Sequence, residues 1–260
     1  MEILPAYIGY DRREQEAVDV CIHSLKRHSS IPIFTMELRD EILRYINLYD
    51  RKFTIREGVM YDDIDEKPFS TEFAFTRFLV PALAQYTGWA LFCDCDMLFR
   101  SDIAELLELR DDKYAVMCVP HDHRPRESRK MDGQIQQKYR RKNWSSFVLW
   151  NCGHPANKFL TVDAVNRERG SYLHQFEWLK DDQIGHLPEE YNWLEGSSSP
   201  AINPKVVHFT RGGPWMMGYE ETHYADEWRK EYDLVQFEKN GMTPTQVERF
   251  TGGHIAAKRA

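Results

Sequence analysis

Short apolar runs alternate with longer amphipathic segments along most of the chain. Residues 4–9 form a continuous apolar run that stops at a glycine turn, and apolar positions then recur at helical spacing over residues 14–28. A second short apolar run follows at residues 31–34. Because continuous apolar runs are typical of strands buried on both faces, this order predicts a β-α-β unit with parallel strands.

The same alternation continues to the end of the chain. Further strands are predicted at residues 89–92, 114–119, 144–151 and 205–209, and helices at residues 69–86, 101–108, 160–169 and 224–237. The predicted fold class is therefore α/β, with a mostly parallel central sheet flanked by helices. We expect residues 1–238 to form a single domain, and residues 239–260, which lack a clear apolar period, to form a loosely docked tail.

Two carboxylates follow the apolar strand predicted at residues 89–92. Asp94 and Asp96 are one residue apart, and in extended chain such side chains project to the same side roughly 6.5–7 Å apart. They can share one divalent cation, or one can bind it while the other holds a neighbouring hydroxyl. Two solvated acids at a strand end are the simpler alternative. The flanking Phe92 and Phe99 make that alternative less favourable, because carboxylates in apolar surroundings repel each other unless a cation or donors lie between them.

Two further polar residues lie where they could join this acidic pair. Arg77 is surrounded by apolar residues of a predicted helix and needs a partner, for which Asp94 and Asp96 are the nearest candidates. His208 ends a short strand just before a glycine turn. A histidine in this position is more often packed or hydrogen-bonded than a ligand, but beside an acidic pair it becomes a candidate third metal ligand.

The turn after the first strand lacks the glycine-rich phosphate fingerprint of dinucleotide-binding proteins. It offers Tyr10 and Asp11 instead, which suit stacking on a base and accepting a hydrogen bond. The alternative is an ordinary turn initiated by Asp11. A second polar pair, Asp182 and Gln183, lies near a predicted helical start ahead of Leu187-Pro188, and its alternative role is to cap that helix.

Charge and cysteine content narrow the class of protein. The formal net charge is −7 and the pI is about 5.8, so no general field attracts nucleic acid or an anionic membrane. Five cysteines, mostly in predicted strands, favour reduced thiols in a cytoplasmic protein. We find neither a secretory signal nor the ~20 apolar residues of a membrane span. We therefore expect a cytoplasmic location, with peripheral association at the inner face of a membrane left open.

Residues 121–143 differ in character from the rest of the chain. Lysine and arginine outnumber acidic residues in this segment, which lies between two predicted strands. Such a segment is commonly a solvated loop or helix. It is also suited to close as a lid over an anionic ligand, because cationic side chains stabilise developing phosphate charge.

Taken in order, these motifs resemble the retaining GT-A glycosyltransferases of family 8, the group that includes glycogenin and bacterial lipopolysaccharide galactosyl- and glucosyltransferases. The resemblance spans residues 4 to about 215. The matching pieces are the Tyr10-Asp11 turn, the run from Phe75 to Pro81, Asp94-Cys95-Asp96, Asp182-Gln183 ahead of Leu187-Pro188 and Tyr191-Asn192, and His208 with Pro214-Trp215.

The resemblance implies a GT-A fold, which is a Rossmann-like nucleotide-diphospho-sugar transferase fold, and a metal-dependent transfer of a hexose from a UDP-sugar to an acceptor, with a glycan as the default acceptor. It implies Mn²⁺, or Mg²⁺, held by the side chains of Asp94, Asp96 and His208. The uracil is expected near Tyr10 and Asp11.

The resemblance also implies contacts to the donor sugar from Arg77, Asp182 and Gln183. Asp182 and Gln183 are the expected catalytic pair, as an acceptor dipole or carboxylate near the oxocarbenium-like sugar. Arg211 and Gly212, in the turn after His208, are expected to help bind the diphosphate.

Two departures from the family pattern concern the donor. Trp144 stands where the family usually has an asparagine that touches the donor sugar, and Gly213 precedes Pro214-Trp215 where the family has a lysine. The identity of the sugar is therefore open. Arg211, or a basic residue of 121–143, would have to replace the lysine.

Two other functions fit parts of the sequence. An apolar strand ending in Asp-x-Asp also occurs in haloacid-dehalogenase phosphatases, in which Asp94 would be the nucleophile, but about ninety residues precede it here. A non-catalytic sugar-nucleotide-binding protein would keep the same fold and pocket, and only turnover separates it from an enzyme.

Overall fold

The structure is a computed structural model and describes residues 3–121, 141 and 144–241. The strands in this part of the chain are β1 (Leu4–Gly9), β2 (Ile33–Leu38), β3 (Phe53–Arg56), β4 (Val59–Asp62), β5 (Pro68–Phe69), β6 (Trp89–Cys93), β7 (Met97–Phe99), β8 (Val116–Cys118), β9 (Phe147–Asn151), β10 (Ile184–His186), β11 (Trp193–Leu194) and β12 (Val206–His208). The helices are α1 (Gln15–His28), α2 (Asp40–Tyr45), α3 (Val80–Leu83), α4 (Ala104–Leu107), α5 (Val162–Arg167), α6 (Gly170–His174) and α7 (Ala225–Lys239).

The central sheet has six strands in the order β10-β8-β9-β6-β1-β2. Strand β1 pairs in parallel with both β2 and β6, and β10 pairs in parallel with β8. Of the six strands in the described part of the chain, β9 alone is antiparallel to its neighbours, to β6 on one side and β8 on the other. The predicted α/β class with a mostly parallel sheet is confirmed, and the carboxyl ends of β1, β6, β8 and β10 all lie at one edge.

A second sheet lies next to the acidic pair and has three strands in the order β11-β12-β7. Strand β7 follows Asp96 directly and pairs antiparallel with β12, so that His208 lies opposite Met97. Strand β11 pairs in parallel with β12. This sheet therefore brings the end of β12 back to the residues that follow β6.

The remaining sheet, β3-β4-β5, and helices α2 and α6 were not predicted. The single helix expected over residues 69–86 does not form. The chain instead forms a 3-10 turn at Thr76–Leu79 and then the short α3. Pro81 explains the break. It has no backbone N–H, and in a regular helix its ring would clash with the carbonyl of Arg77 four residues earlier.

Helix α1 buries one face, which includes Val18, Cys21 and Leu25, on the inner side of the fold. Trp228 of α7 lies in a smaller apolar cluster with Val20 of the same α1 helix. All five cysteines are buried and unpaired, as expected for reduced thiols. In the described residues no helix is both long and apolar enough to cross a bilayer. Most of the expected tail, residues 242–260, lies outside the described part of the chain.

Candidate active site

The candidate site lies at the edge of the central sheet where β1 and β6 end. Asp94 and Asp96 occupy the link from β6 to β7, and the 3-10 turn Trp144–Ser146 leads into β9 at the same edge, because β9 runs in the opposite direction. The backbone N–H of Asp94 donates to the carbonyl of Ser146 at 2.9 Å, which ties the two segments together. Ligand sites at the carboxyl ends of parallel strands are the general rule for open α/β sheets.

Asp94, Asp96 and His208 converge at this edge. One ligand atom from each lies within 4.8 Å of the others. His208 Nε2 is 3.2 Å from Asp96 Oδ1 and 4.0 Å from Asp94 Oδ2. The structure thus brings together the three residues expected to bind metal, through the β7–β12 pairing.

The orientation of the His208 ring is set by its other nitrogen. Nδ1 lies 2.8 Å from Asn192 Oδ1, while Asn192 Nδ2 donates to Ser146 Oγ at 3.0 Å. With Nδ2 used as the donor, Oδ1 is the acceptor, so Nδ1 carries the proton. In the neutral ring Nε2 then offers a lone pair toward Asp96, as a metal-binding histidine requires.

The electrostatics of this cluster favour a cation. In the described structure Asp96 Oδ1 is buried without a hydrogen-bond partner of acceptable geometry. Burial and the nearby Asp96 raise the pKa of Asp94 to about 6, although Arg77 opposes them. Burial disfavours a charged His208, but the carboxylates of Asp96 and Asp94 outweigh it and raise the pKa of the imidazole. A carboxylate oxygen facing an imidazole lone pair needs a proton or a metal ion between them.

Arg77 is the buried partner of Asp94. Its Nη1 lies 2.8 Å from Asp94 Oδ1 and donates to the carbonyl of Ser145 at 2.9 Å. The guanidinium also lies about 5 Å from the ring centroids of Phe73 and Phe92, at 5.0 and 5.1 Å. The prediction that an aspartate of the next strand pairs with Arg77 is confirmed. Arg77 therefore fixes one carboxylate of the triad and leaves its second oxygen facing His208.

Tyr10 and Asp11 follow β1 at the same edge. The Tyr10 ring lies under the guanidinium of Arg39, 3.8 Å from the ring centroid, and its hydroxyl donates to Gln15 Oε1 at 3.1 Å. Asp11 is fully buried and accepts from the backbone N–H of Arg13 at 3.0 Å and from its Nε at 2.8 Å. Asp11 thus initiates the turn ahead of α1, which is the simpler of the two roles that the sequence suggested for it.

The turn after β12 contains Arg211 and Gly212. The Arg211 guanidinium packs on Gly196, where an added Cβ would lie 2.7 Å from Nη1. Gly212 has a φ of +131°, which favours glycine. At Gly213 an added Cβ would lie only 2.0 Å from the Trp215 ring. With the Trp215 ring in this position, a side chain at residue 213 would require the ring to move.

The structure does not bring Asp182 and Gln183 to this site. They precede β10 and so lie near the amino ends of the parallel strands. The register across β8 and β9 puts Ile184 level with Ala90. The position of Gln183 is therefore separated from that of Asp94 by about 16 Å in the direction of the strands. Across the sheet, three strand spacings separate the two residues by a further distance of about 14 Å. The expectation that Asp182 and Gln183 lie in the active site as the catalytic pair is therefore corrected. Gln183 Oε1 instead accepts from the Lys180 backbone N–H at 2.9 Å and caps a turn.

Two residues that the sequence did not single out lie near the site. His174, at the end of α6, lies 3.0 Å through Nδ1 from Ser145 Oγ, and its ring packs against Phe78 with centroids 5.1 Å apart. Glu14 lies close enough to the triad that burial and the charge of Asp96 raise its pKa to about 8. Neither belongs to a recognisable spacing motif, so sequence reasoning had no signal for them.

Trp144, the departure from the family's asparagine, also lies at this edge. Its Nε1 donates to the carbonyl of His121 at 3.3 Å, and its ring meets His186 edge-on with centroids 6.1 Å apart. Most of the basic segment proposed as a lid, residues 122–140 and 142–143, lies outside the described residues.

Comparison with known proteins shows to which family the chain belongs. The sequence profile of Glycosyl transferase family 8 matches residues 8–156, more than half of the chain. The chain belongs to this family. Its matched region includes Tyr10, Asp11, Arg77 and the Asp94-Cys95-Asp96 motif, whereas His208 lies beyond it.

A curated family relative covers most of the chain. "Protein CDI" of Arabidopsis thaliana is 47% identical over 232 residues, which are 87% of this chain and 85% of that protein. Among solved structures, the bifunctional glycosyltransferase WbbM superposes with a TM-score of 0.57 at 15% identity, over 96% of this chain and 51% of WbbM. This chain thus spans about half of WbbM.

Two further solved structures have the same fold. The glycosyltransferase GlyE of Streptococcus pneumoniae TIGR4 gives a TM-score of 0.56 at 16% identity, over 92% of this chain and 64% of GlyE. The galactosyltransferase LgtC, solved with donor and acceptor sugar analogues, gives 0.51 at 11% identity, over 89% of this chain and 96% of LgtC. This member of family 8 therefore has the GT-A fold and is a glycosyltransferase, and the phosphatase alternative is not favoured.

Proposed function

We propose that this protein is a metal-dependent retaining glycosyltransferase that moves a hexose from a UDP-sugar to a saccharide acceptor. The observation that carries the proposal is the convergence of Asp94, Asp96 and His208, with Nε2 of His208 turned toward the carboxylates by Asn192. Family membership supports the transfer of a sugar. Metal dependence, the UDP-sugar and retention are the finer parts of the proposal.

Asp94, Asp96 and His208 would hold the metal. Carboxylates and one imidazole are a donor set that suits Mn²⁺ and accommodates Mg²⁺. When bound, the ion supplies positive charge that stabilises the diphosphate as it leaves the sugar. Among the described residues Asp96 Oδ1 has no hydrogen bond of acceptable geometry, and this fits such an ion, because a buried carboxylate oxygen without a donor is costly.

The side chains around the triad would bind the rest of the donor. Arg77 holds Asp94 in place and faces the site from the Ser145 side. Tyr10 and Asp11, at the end of β1, would lie nearest the uracil, and the Arg39 guanidinium over Tyr10 would move or stack with the base. Arg211 and Gly212, directly after β12, would lie nearest the diphosphate because His208 ends that strand.

The reaction forms a bond between the acceptor oxygen and the anomeric carbon and breaks the bond from that carbon to the diphosphate. In a retaining front-face reaction the leaving phosphate oxygen can take the acceptor proton. The protein then needs no general base opposite the leaving group. With Asp182 and Gln183 at the amino ends of the strands, this route requires no carboxylate from that pair.

The test is a donor screen that measures UDP release from each UDP-sugar with Mn²⁺, with and without a saccharide acceptor. We expect one donor to be hydrolysed, and Asp96→Asn to reduce turnover by about 100-fold or more through the loss of a ligand. Folding of the variant is checked by circular dichroism. Full activity of Asp96→Asn, or of the wild type in excess chelator, would contradict metal dependence. Donor binding without any turnover would favour the non-catalytic alternative.

A further inference from the structure

The guanidinium of Arg39 covers the Tyr10 ring at the carboxyl end of β1. Its Cζ lies 3.8 Å from the ring centroid, and Tyr10 is only 6% exposed. An edge-on N–H would hold the guanidinium carbon farther from the ring, so this short distance fits a guanidinium that lies flat on it. In this conformation the Tyr10 ring therefore offers no open face to a nucleotide base.

The carboxylate of Asp11 is also fully engaged within the protein. Its Oδ1 accepts from the backbone N–H of Arg13 at 3.0 Å and from Nε at 2.8 Å. Its Oδ2 accepts from Arg13 Nη2 at 2.5 Å and from the backbone N–H of Glu72 at 3.2 Å. A carboxylate has about four acceptor sites, and these bonds occupy them. The N3–H of a uracil would have to displace one of these donors to bind Asp11.

Arg39 is held over Tyr10 by acidic neighbours. Its Nε donates to Glu37 Oε2 at 2.7 Å, and Nη2 lies 2.6 Å from the same oxygen. Glu41 lies 4.0 Å from Nη1. Moving the guanidinium aside would break these contacts together with the contact to the ring. The Arg39 side chain is still 29% exposed, so part of its surface remains open to a ligand.

The order of the strands puts Arg39 at a suitable distance from the acidic motif. Strand β1 lies between β2 and β6. Gly9 pairs with Leu38, so Arg39 follows the end of β2 as Tyr10 follows the end of β1. Arg39 is therefore two strand spacings, about 10 Å, from the residues that follow β6. The ribose of a nucleotide separates its base from its diphosphate by a comparable span.

We propose that Arg39, stacked on Tyr10, is the surface on which the uracil of the donor stacks. A guanidinium is planar and stacks on aromatic rings, and nucleotide bases use it as a stacking surface in the same way. Tyr10 then supports Arg39 and does not touch the base itself. This inference rests on the proposed function, because it assigns the base contact of that donor to a residue outside the sequence motifs.

The test compares two nucleotides that differ only in the flatness of the base. 5,6-Dihydro-UDP keeps both carbonyls and the N3–H of uracil, but its ring is puckered and stacks poorly. Calorimetric titration with Mn²⁺ present measures the affinity of each. We expect the wild type to bind UDP about tenfold or more tightly than dihydro-UDP, and Arg39→Leu to lose this preference.

Two further variants separate the plane of Arg39 from its charge. Arg39→Lys keeps the charge without the plane, and it should lose the preference as Arg39→Leu does. Arg56→Leu is the matched control, because Arg56 lies over the Tyr61 ring in the β3–β4 hairpin, 5.0 Å from the centroid. It should keep the wild-type preference. Inorganic pyrophosphate has no base, so all three variants should bind it as the wild type does.

The outcomes distinguish this inference from the proposed function. Tighter binding of UDP by Arg39→Leu would show that the guanidinium only blocks Tyr10, and would overturn the inference. Equal affinity of the wild type for the two nucleotides, or a preference retained in Arg39→Leu or Arg39→Lys, would also overturn it. A wild type that binds neither nucleotide refutes the proposed function itself, because that reaction uses a UDP-sugar.

Discussion

A single hydrogen bond to Asn192 decides what His208 can offer at the active site. Because Asn192 Nδ2 is used by Ser146, its Oδ1 must accept from His208 Nδ1, and the opposite ring nitrogen is left to face the acidic pair. Asn192 is fully buried, so an alternative partner from solvent is excluded. An uncharged side chain thus sets which ring nitrogen His208 presents to the acidic pair.

Asn192→Leu should weaken Mn²⁺ binding by about 10- to 100-fold, because the ring loses the partner that fixes its orientation and tautomer. Calorimetric titration of the protein with Mn²⁺ measures the change. Asn240→Leu, at the exposed end of α7, is the matched control and should bind Mn²⁺ as the wild type does. Equal affinities for the two variants would show that Asn192 does not position the histidine.

At the scale of secondary-structure elements, one buried arginine joins parts of the chain that are far apart in the sequence. Arg51 and Asp62 are each about 1% exposed, and Arg51 donates to the two Asp62 oxygens from Nε at 2.9 Å and Nη2 at 2.6 Å. Arg51 Nη1 also donates to the carbonyls of Val165 and Glu168 at 2.8 Å. This one side chain therefore fastens the β3-β4-β5 sheet to α5.

Arg51→Met should lower the free energy of unfolding by about 3–5 kcal/mol, since it leaves Asp62 buried without its partner. Urea denaturation followed by circular dichroism measures the loss. Arg167→Met removes an exposed pair with Asp50, whose side chains are 59% and 56% exposed, and should cost at most about 1 kcal/mol. Similar losses for both variants would mean that burial of the pair contributes little.

The contact of α1 with α7 should depend on pH through His23. Its Nδ1 is 2.5 Å from Glu231, and the hydrogen bond and charge of Glu231 outweigh burial and raise the pKa of His23. A raised pKa in the folded state gives stability that is complete below about pH 6.5, the unfolded value, and is lost as pH rises through the folded value. Glu231 stays ionised across this window because Arg27 and His23 lower its pKa despite burial.

Between about pH 6 and pH 9 the free energy of unfolding of the wild type should therefore fall relative to that of His23→Gln. His28, on the same helix, is the control, because burial and Arg27 lower its pKa. Its contribution has the opposite sign and is lost as pH falls. Relative to His28→Gln, the wild type should lose stability as pH falls below about 6.5. Parallel pH profiles for wild type and His23→Gln would contradict the assignment.

At the scale of the whole molecule, strand direction determines which residues can meet. The central sheet presents the ends of β1, β6, β8 and β10 at one edge, and the small β11-β12-β7 sheet folds back onto that edge. The residues of the triad, which come from β6–β7 and from β12, therefore meet on one side of the molecule. Asp182 and Gln183 lie at the opposite edge, away from the triad.

This arrangement leads to a prediction about the product. If the acceptor approaches from the side of the leaving diphosphate, an α-linked UDP-sugar should give an α-linked glycoside. The anomeric proton coupling in the NMR spectrum of the product measures this directly. Gln183→Ala should leave the rate within about twofold of wild type, since surface changes far from the site have small effects. A β-linked product would refute retention, and a large loss of rate in Gln183→Ala would return that residue to the mechanism.

The sequence by itself determined the class of fold and the core of the site. A β-α-β opening, a buried strand ending in Asp94 and Asp96, and a buried Arg77 in need of a carboxylate are consequences of local pattern and of the cost of burying charge. The structure agrees with each of these expectations. They could be predicted because each depends on residues close together in the chain.

Only the tertiary structure decided which other residues reach that site. His208 joins the aspartates because β12 pairs with β7, and His174 and Asn192 come from two other segments, between the aspartates and β12 in the sequence. Gln183 has a suitable motif but stands at the start of β10 rather than at its end. A sequence motif gives residue types and spacing, whereas the direction and order of strands follow from contacts between distant parts of the chain.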